Sequence, residues 1–511
     1  MKKVSENKRL FINLVSSIVA LIVNMGISFF LSPYIINNVG AEAYGFVSLA
    51  NNFVNYASLL TIALNSMAGR FIAIKIHQGD KVEANKYFNS IFFANIIMSL
   101  ILLVPSVAII FFLDKIVNIP LQIINSVKVL FIFIFLNFIL GLLGSTYEVA
   151  TFAKNRLDLS SKRKIEANII KVILLVIFFT FIGNDIAYFG LVTLLITIYV
   201  IAINIYYTKK LLPEIVINKN LFDLKKVIQV IKSGIWNTIT KLGQILTDGL
   251  DLLISNVFIN ALAMGQLSIA KTISTVVTSL ICTVSYSFQP NLVKDYALKN
   301  KENMIKNLKF GMKITGLFSN TSLCFVIVFG LFFYKLWIPT QDINLIYILT
   351  IMTLIGAIMS GVIDPLWSIF TITNKLKVNS IVTVGMGILN VIIVYILLKT
   401  TNIGIIAVAG VSSILSLVKN ITYAPMYTAT CLNVSKKTFY PVILRYLFTT
   451  FIIFMVFWGI SAFIKPNSWI VLILSGIICV CVGTVINYIL LFDKFEKKGF
   501  ERIILNKIEK N

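Results

Sequence analysis

The chain has 511 residues, 58% hydrophobic and only 13% charged, with a formal net charge of +24. Soluble domains carry about 25% charged residues, and a mean hydropathy of +0.91 excludes one here. The apolar runs recur from end to end, each long enough to cross a ~30 Å hydrocarbon layer as a helix, so the expected fold class is an all-α polytopic membrane protein.

Fourteen spans are predicted. Six lie at roughly 10–36, 44–69, 88–113, 124–148, 165–182 and 186–207. Six more lie at 234–258, 263–289, 311–334, 343–371, 378–398 and 404–428, and the last two at 440–463 and 467–492. The run from Leu10 to Ile36 is too long for a ~7–15-residue signal core and is expected to stay as the first span. Of the 45 basic residues, 34 fall in the tails and the loops on their side. Lys115, Lys335, Lys399 and Lys465 alone fall in the opposite loops. That asymmetry sets both termini in the cytoplasm and the chain in the cytoplasmic membrane, and it makes nucleic acid an unsuitable partner.

Taken in order, the second span carries Asn51, Asn52, Asn55, Asn65 and Ser66 and ends at Arg70. Amides of this kind suit sugar hydroxyls and equally suit helix packing. His77 is the single histidine and sits in a basic loop, so it cannot build a metal site alone. Lys171 lies inside the fifth span, while Glu148 and Asp364 lie near cytoplasmic ends and predict boundary ion pairs with lysines. The connection 208–233 contains Leu221, Leu224, Val227, Ile228 and Ile231 on one face, which predicts a short helix lying in the membrane interface.

The seventh span holds the densest polar pattern. Asn237, Lys241, Gln244, Asp248, Asp251 and Ser255 lie within roughly 40° of one line on an α-helix. Such a stripe is costly in lipid unless it lines water or pairs with protein, and it predicts a helix facing a wet cavity. In the eighth span Ser268, Thr272, Thr275, Ser279 and Tyr286 share a face. Lys271 and Asp251 lie roughly 10–12 Å below the outer ends of their helices, at depths that allow an ion pair. Arg70 and Lys419 lie where their side chains can reach the cytoplasmic interface. The deep charges Lys171, Lys241 and Lys271 against Asp248 and Asp251 favour an anionic substrate such as a phosphate ester. The candidate substrate-binding set is therefore Lys241, Gln244, Asp248, Asp251, Lys271, Lys171, Asn51, Asn55, Arg70 and Lys419.

An internal repeat is visible. Residues 43–50 match 263–270, 155–159 match 374–378 and 186–190 match 406–410, at offsets of 219 or 220. Six spans separate the copies, so they have the same orientation and are parallel repeats. The expected domains are 1–219 with spans one to six, 220–435 with the interfacial helix and spans seven to twelve, and 436–511 with spans thirteen, fourteen and the tail. No phosphate-binding Gly-x-x-x-x-Gly-Lys-Ser/Thr, metal cluster or Ser/His/Asp set is present, so no enzyme and no cofactor is expected. Cys282, Cys324, Cys431, Cys479 and Cys481 form no CxxC pair and read as packing residues. Energy is expected from an ion gradient (H+ or Na+), the membrane potential or removal of product.

With Gly40-x-x-x-Tyr44-Gly45, Asn155-Arg-Leu-Asp158, Asp251 to Phe258, Gly265 and Phe288-x-Pro290 in place, the whole chain resembles a Wzx-type polysaccharide flippase. That family belongs to the superfamily of multidrug (MATE) exporters and lipid II flippases. The resemblance implies a MATE-like V of two six-helix lobes plus two C-terminal helices, and alternating access. It implies a polyprenyl-diphosphate-linked oligosaccharide as substrate, a cationic cavity for the diphosphate, and a polysaccharide polymerase as a further partner. This chain offers lysines where the family often has arginines. A drug/cation antiporter, a lipid II-type flippase and a membrane glycan polymerase are the rival readings.

Overall fold

In the computed structural model the first two predicted spans are two helical segments that meet at a kink at Gly40, here labelled together α1 (Glu6–His77). Gly40 has φ 88° and ψ 162°, a backbone region essentially closed to residues with a Cβ. The Ser32 and Tyr44 hydroxyls meet at 3.2 Å across the bend. No atom lies within 4 Å of a Cβ built at Gly40, so the cost of Gly40→Ala is backbone strain alone. That variant is expected to lose about 1–3 kcal/mol, read as a lower unfolding temperature of the detergent-purified protein.

The structure describes residues 6–154, 156–289, 292, 295–296, 298–373, 375–494 and 496–497. Asn155, Pro290, Asn374, the side chain of His77 and the tail beyond Lys497 lie outside the described residues. After α1 come α2 (Lys81–Phe111), α3 (Ile124–Ser145), α4 (Leu157–Phe181) and α5 (Ala187–Leu211). Next are α6 (Leu224–Gln244), α7 (Asp251–Phe258), α8 (Ala261–Tyr286), α9 (Lys301–Trp337) and α10 (Ile343–Ile372). The chain ends with α11 (Leu376–Thr400), α12 (Ile405–Ile421), α13 (Tyr423–Cys431), α14 (Tyr440–Phe463) and α15 (Trp469–Leu490).

Among the described residues, 11 helices are long and apolar enough to cross a membrane. Three of the fourteen expected crossings are not separate members of that set. Spans one and two share α1, α4 carries Lys164, Glu166 and Lys171, and the seventh span is interrupted. The protein is an all-α polytopic membrane protein.

By packing, the chain divides into Met1–Ser268 with Ser380–Val391, and Ile269–Asn379 with Ile392–Asn511. The first unit has a core of Leu64, Ile72, Phe88, Ile91, Val227 and Val230. Two of those valines belong to the segment expected in the membrane interface. Residues 224–232 open α6, which runs on without a break to Gln244. Val227 and Val230 pack into this core, whereas Leu224, Ile228 and Ile231, on the face expected in the membrane interface, stay exposed. The preceding loop is tied to α2 by paired amides. Asn85 bonds both Glu214 O and Val216 N, and Asn89 bonds Val216 O and Asn218 N, at 2.7–2.9 Å.

Repeat-equivalent residues meet inside this unit. Ser268 Oγ donates to Ser48 Oγ at 2.5 Å, a pair 220 residues apart. One turn away a Cβ on Gly45 would lie 2.8 Å from Gly265 Cα, again an offset of 220.

In the second unit α14 and α15 pack on α9. Asn320 and Asn487 exchange side-chain bonds at 2.9 and 3.0 Å, and Tyr446 Oη donates to Ile358 O at 2.7 Å. Asp364 is a correction. Among the described residues its partners are Ser285 and, at 3.9 Å, the Cys282 thiol, with no lysine ion pair. Glu148 does form the expected boundary pair, but with Arg163 at 3.3 Å. The cysteines are all free, and Cys324, Cys431 and Cys479 are buried in packing positions as expected.

Candidate functional site

The seventh span starts as α6, passes through a π turn at Ile245–Gly249 and resumes as α7. Leu250 N bonds Ile245 O at 3.0 Å, an i→i+5 closure that holds one extra residue. One extra residue turns everything beyond it by about 100° out of the α-helical register. The six-residue stripe predicted on one face is therefore split. Gln244 and Asp248 are exposed and Lys241 is half-buried, whereas Asp251 at 1% and Ser255 at 0% exposure are turned inside.

The turn also leaves carbonyls without their usual helical partners, and neighbouring side chains take them. Asn52 Nδ2 and Tyr56 Oη donate to Gly249 O at 3.0 and 2.6 Å. Asn390 Nδ2 from α11 donates to Leu246 O at 3.2 Å and Thr247 O at 2.9 Å. At the C-terminal end of α7, Asn118 and Asn256 exchange three bonds at 2.7–3.0 Å. Asn52, Tyr56, Asn118, Asn256 and Asn390 thus hold the interrupted helix. The amide-rich second span pointed to the first of them. Asn390, one of two amides in the eleventh span with Asn379, gave no signal.

What remains exposed forms a polar strip on two adjoining helices of the first unit. Gly234 packs directly on the carbonyl of Ala63, and Asn237 Nδ2 donates to Ser66 Oγ at 3.2 Å. These contacts bring α6 against the second half of α1. Outward from them the strip continues through Lys241, Gln244 and Asp248 on one helix and Asn55 and Asn51 on the other. Toward the basic loops it continues to Arg70, which is exposed. Asn51 Nδ2 donates back to Val47 O, one turn earlier in its own helix, at 2.8 Å. Lys241 and Arg70 therefore lie on opposite sides of the Asn237–Ser66 contact, roughly 15 Å apart along the helices, with the amides and Asp248 on the Lys241 side.

Among the described residues, the side chains of Lys241, Gln244 and Arg70 make no hydrogen bond or ion pair. A lysine within hydrocarbon costs about 2.5–3.5 kcal/mol on insertion scales, so a partnerless one belongs beside water or an anion.

The other predicted site residues lie elsewhere. Lys171 Nζ sits 4.4 Å from the centroid of Phe189, and Lys419 Nζ sits 5.1 Å from that of Trp367. Aromatic faces therefore take part of the charge that the sequence reading assigned to substrate. Lys271 is half-buried on α8 in the second unit. Ser268, expected in a cavity wall, is buried against Ser48. The Arg156-Leu-Asp158 motif is an ion pair at the start of α4, with Nε–Oδ1 and Nη2–Oδ2 both at 2.9 Å. The Arg156 guanidinium holds the Asp158 carboxyl below the usual carboxylate range. Among the described residues no cluster of three or more His, Cys, Asp or Glu is placed to hold a metal ion.

An all-helical polytopic chain with a water-compatible polar strip on packed apolar helices has the architecture of a membrane transporter. Solved structures share the fold. The lipid II flippase MurJ in an inward closed conformation superposes with TM-score 0.67 at 16% identity, covering 94% of this chain and 99% of that one. An inward-facing MATE-family multidrug resistance transporter of the MOP superfamily gives 0.62 at 15%, covering 83% and 99%. The profile described as "Polysaccharide biosynthesis protein" matches residues 10–294, and the chain belongs to that family. It is also similar to the uncharacterized membrane protein EpsK of Bacillus subtilis (strain 168), with 26% identity over 490 residues, 95% of this chain and 96% of the relative.

Proposed function

We propose that this protein is a flippase carrying polyprenyl-diphosphate-linked oligosaccharide repeat units across the cytoplasmic membrane for surface polysaccharide assembly. Transport is by alternating access, with both termini in the cytoplasm and a polymerase consuming the product outside. The observation that carries this reading is Lys241, a half-buried cation without a partner among the described residues, on the same strip as exposed amides. A diphosphate offsets Lys241, Arg70 adds positive potential nearer the basic loops, and Asn51, Asn55 and Gln244 offer hydrogen bonds to sugar hydroxyls. Family membership supports a place in polysaccharide biosynthesis. H+ or Na+ is the coupling ion.

The test is protection of labelled lipid-linked oligosaccharide headgroups in vesicles with and without the protein. Lys241→Gln removes a charge-assisted contact of about 1.5–3 kcal/mol. It is expected to slow translocation about tenfold or more at unchanged protein level, and Lys241→Arg is expected to retain it. Wild-type rates in Lys241→Gln would remove the strip from the mechanism. Resistance to cationic dyes that depends on Asp248 or Asp251, without headgroup transport, would favour the antiporter. Transport confined to lipid II would favour a peptidoglycan precursor flippase.

A further inference from the structure

On the first unit, away from the polar strip, α2 and α3 leave an apolar groove of ≈ 280 Å³ between them. Leu103, Val107 and Phe111 form one wall and Ile132, Phe135 and Leu136 the other. Pro105 lies inside α2 and removes one helical hydrogen bond there, which favours a bend. Ser106, the polar residue of the lining, turns its hydroxyl back to Leu102 O at 2.7 Å, so nothing polar points into the groove. Val107 and Phe111 are 62% and 72% exposed, which makes the groove open sideways along the helices rather than closed.

Its outer mouth, on the side opposite the lysine-rich loops, is charged. Lys128 stands one turn beyond Ile132 on α3 and pairs with Asp114 at 2.8 Å, and Lys115 Nζ lies 5.4 Å from the centroid of Phe112. The hydrogen bond from Lys128 holds the Asp114 carboxyl below its usual range. Asp185 binds Ser126 at 2.8 Å, about 200° round α3 from Lys128. Two lysines against one carboxylate thus face the mouth, in a chain with four basic residues in all its predicted outer loops.

We propose that this groove holds the single hydrocarbon chain of an anionic prenyl lipid, with its phosphate at Lys115 and Lys128, in the leaflet opposite the basic loops. Apolar contact along both walls supplies the affinity, and the lysines select a negative headgroup. The inference rests on the flippase reading for the choice of a prenyl lipid, and it gives the translocated carrier a docking position outside the polar strip.

The test uses the full-length protein in phosphatidylcholine vesicles with photoactivatable undecaprenyl phosphate, and in parallel photoactivatable phosphatidylglycerol. Labelled peptides are mapped by mass spectrometry. The expected result is prenyl-probe labelling concentrated at residues 103–111 and 132–139, competed by unlabelled undecaprenyl phosphate and not by phosphatidylglycerol. Filling the groove with Leu136→Trp or Val107→Trp is expected to cut it about tenfold, and Lys128→Gln to weaken it. Equal labelling by the two-chain probe, or labelling spread evenly over other lipid-facing helices, overturns the proposal, and neither result depends on a variant folding. A wild-type protein that labels here yet moves no oligosaccharide lipid overturns the flippase function and leaves the groove standing.

Discussion

Converting Asp493 and Glu496 together to their amides is expected to destabilise the protein by about 3 kcal/mol, the lower end of the range for stranding a buried charge. Lys313 sits in the interior of α9 with its side chain 3% exposed, and its Nζ lies 2.6 Å from Asp493 and 2.7 Å from Glu496. Arg445 from α14 also binds Asp493. Just beyond α15, then, two carboxylates neutralise a lysine that lies among packed helices. Lys313→Met fills similar volume without a charge, so the triple variant is expected to recover most of the loss. A chain ending at Phe492 is expected to behave like the double amide. Thermal unfolding of purified protein reads all three, and an unchanged midpoint in the double amide would remove the latch as a stabilising element.

The same latch has a pH signature. Burial raises the Asp493 carboxyl, but the hydrogen bonds from Lys313 and Arg445 outweigh it, and the group lies below the usual carboxylate range. A depressed folded value means the stabilisation is complete above the ordinary aspartate value of about 3.9 and is lost as pH falls through the lower folded value. The wild type is expected to lose stability in acid over that window, and the double amide to lose less.

Gly265→Val is expected to abolish folded protein. A Cβ at this position would overlap the carbonyl of Ala41, and backbone cannot swing aside as a side chain can. Overpacking costs typically 1–3 kcal/mol and more where nothing can yield, so about 3 kcal/mol or more is expected. Gly385→Ala is the control, because a Cβ there has nothing within 4 Å. Normal yield and melting of Gly265→Val would show that the contact between the two repeats is looser than its geometry.

The sequence reading reached this glycine for a related reason. Ala43 to Ala50 and Ala263 to Ala270 were matched as repeats, and their equivalent residues Gly45 and Gly265, Ser48 and Ser268 touch one another. A repeat is legible because each copy must meet similar packing demands. That the copies meet at those very positions is a statement about tertiary contact.

The stripe in the seventh span shows the opposite case. A strict α-helical period placed six polar residues on one line, yet one extra residue in the π turn sends Asp251 and Ser255 inside and leaves Gln244 and Asp248 exposed. Local sequence cannot forecast that turn, because its carbonyls are satisfied by Asn52, Tyr56 and Asn390 from other helices. The segment expected in the membrane interface is only partly absorbed: Val227 and Val230 are covered by α1 and α2, while Leu224, Ile228 and Ile231 stay exposed. An amphipathic face reports that a helix must be covered on one side, not whether lipid or protein covers it.

By itself, then, the amino-acid order determined the helical membrane class, since hydrocarbon admits few ways to satisfy backbone amides. Only the tertiary structure decided which polar side chains stay exposed and which are absorbed by helix contacts. Lys171 and Lys419 face aromatic rings, Lys313 is claimed by the C-terminal carboxylates, and Lys241 stays half-buried on the strip without a partner among the described residues. The same lysine in an apolar run has the same cost everywhere in the sequence, and its neighbours across the fold determine what offsets that cost.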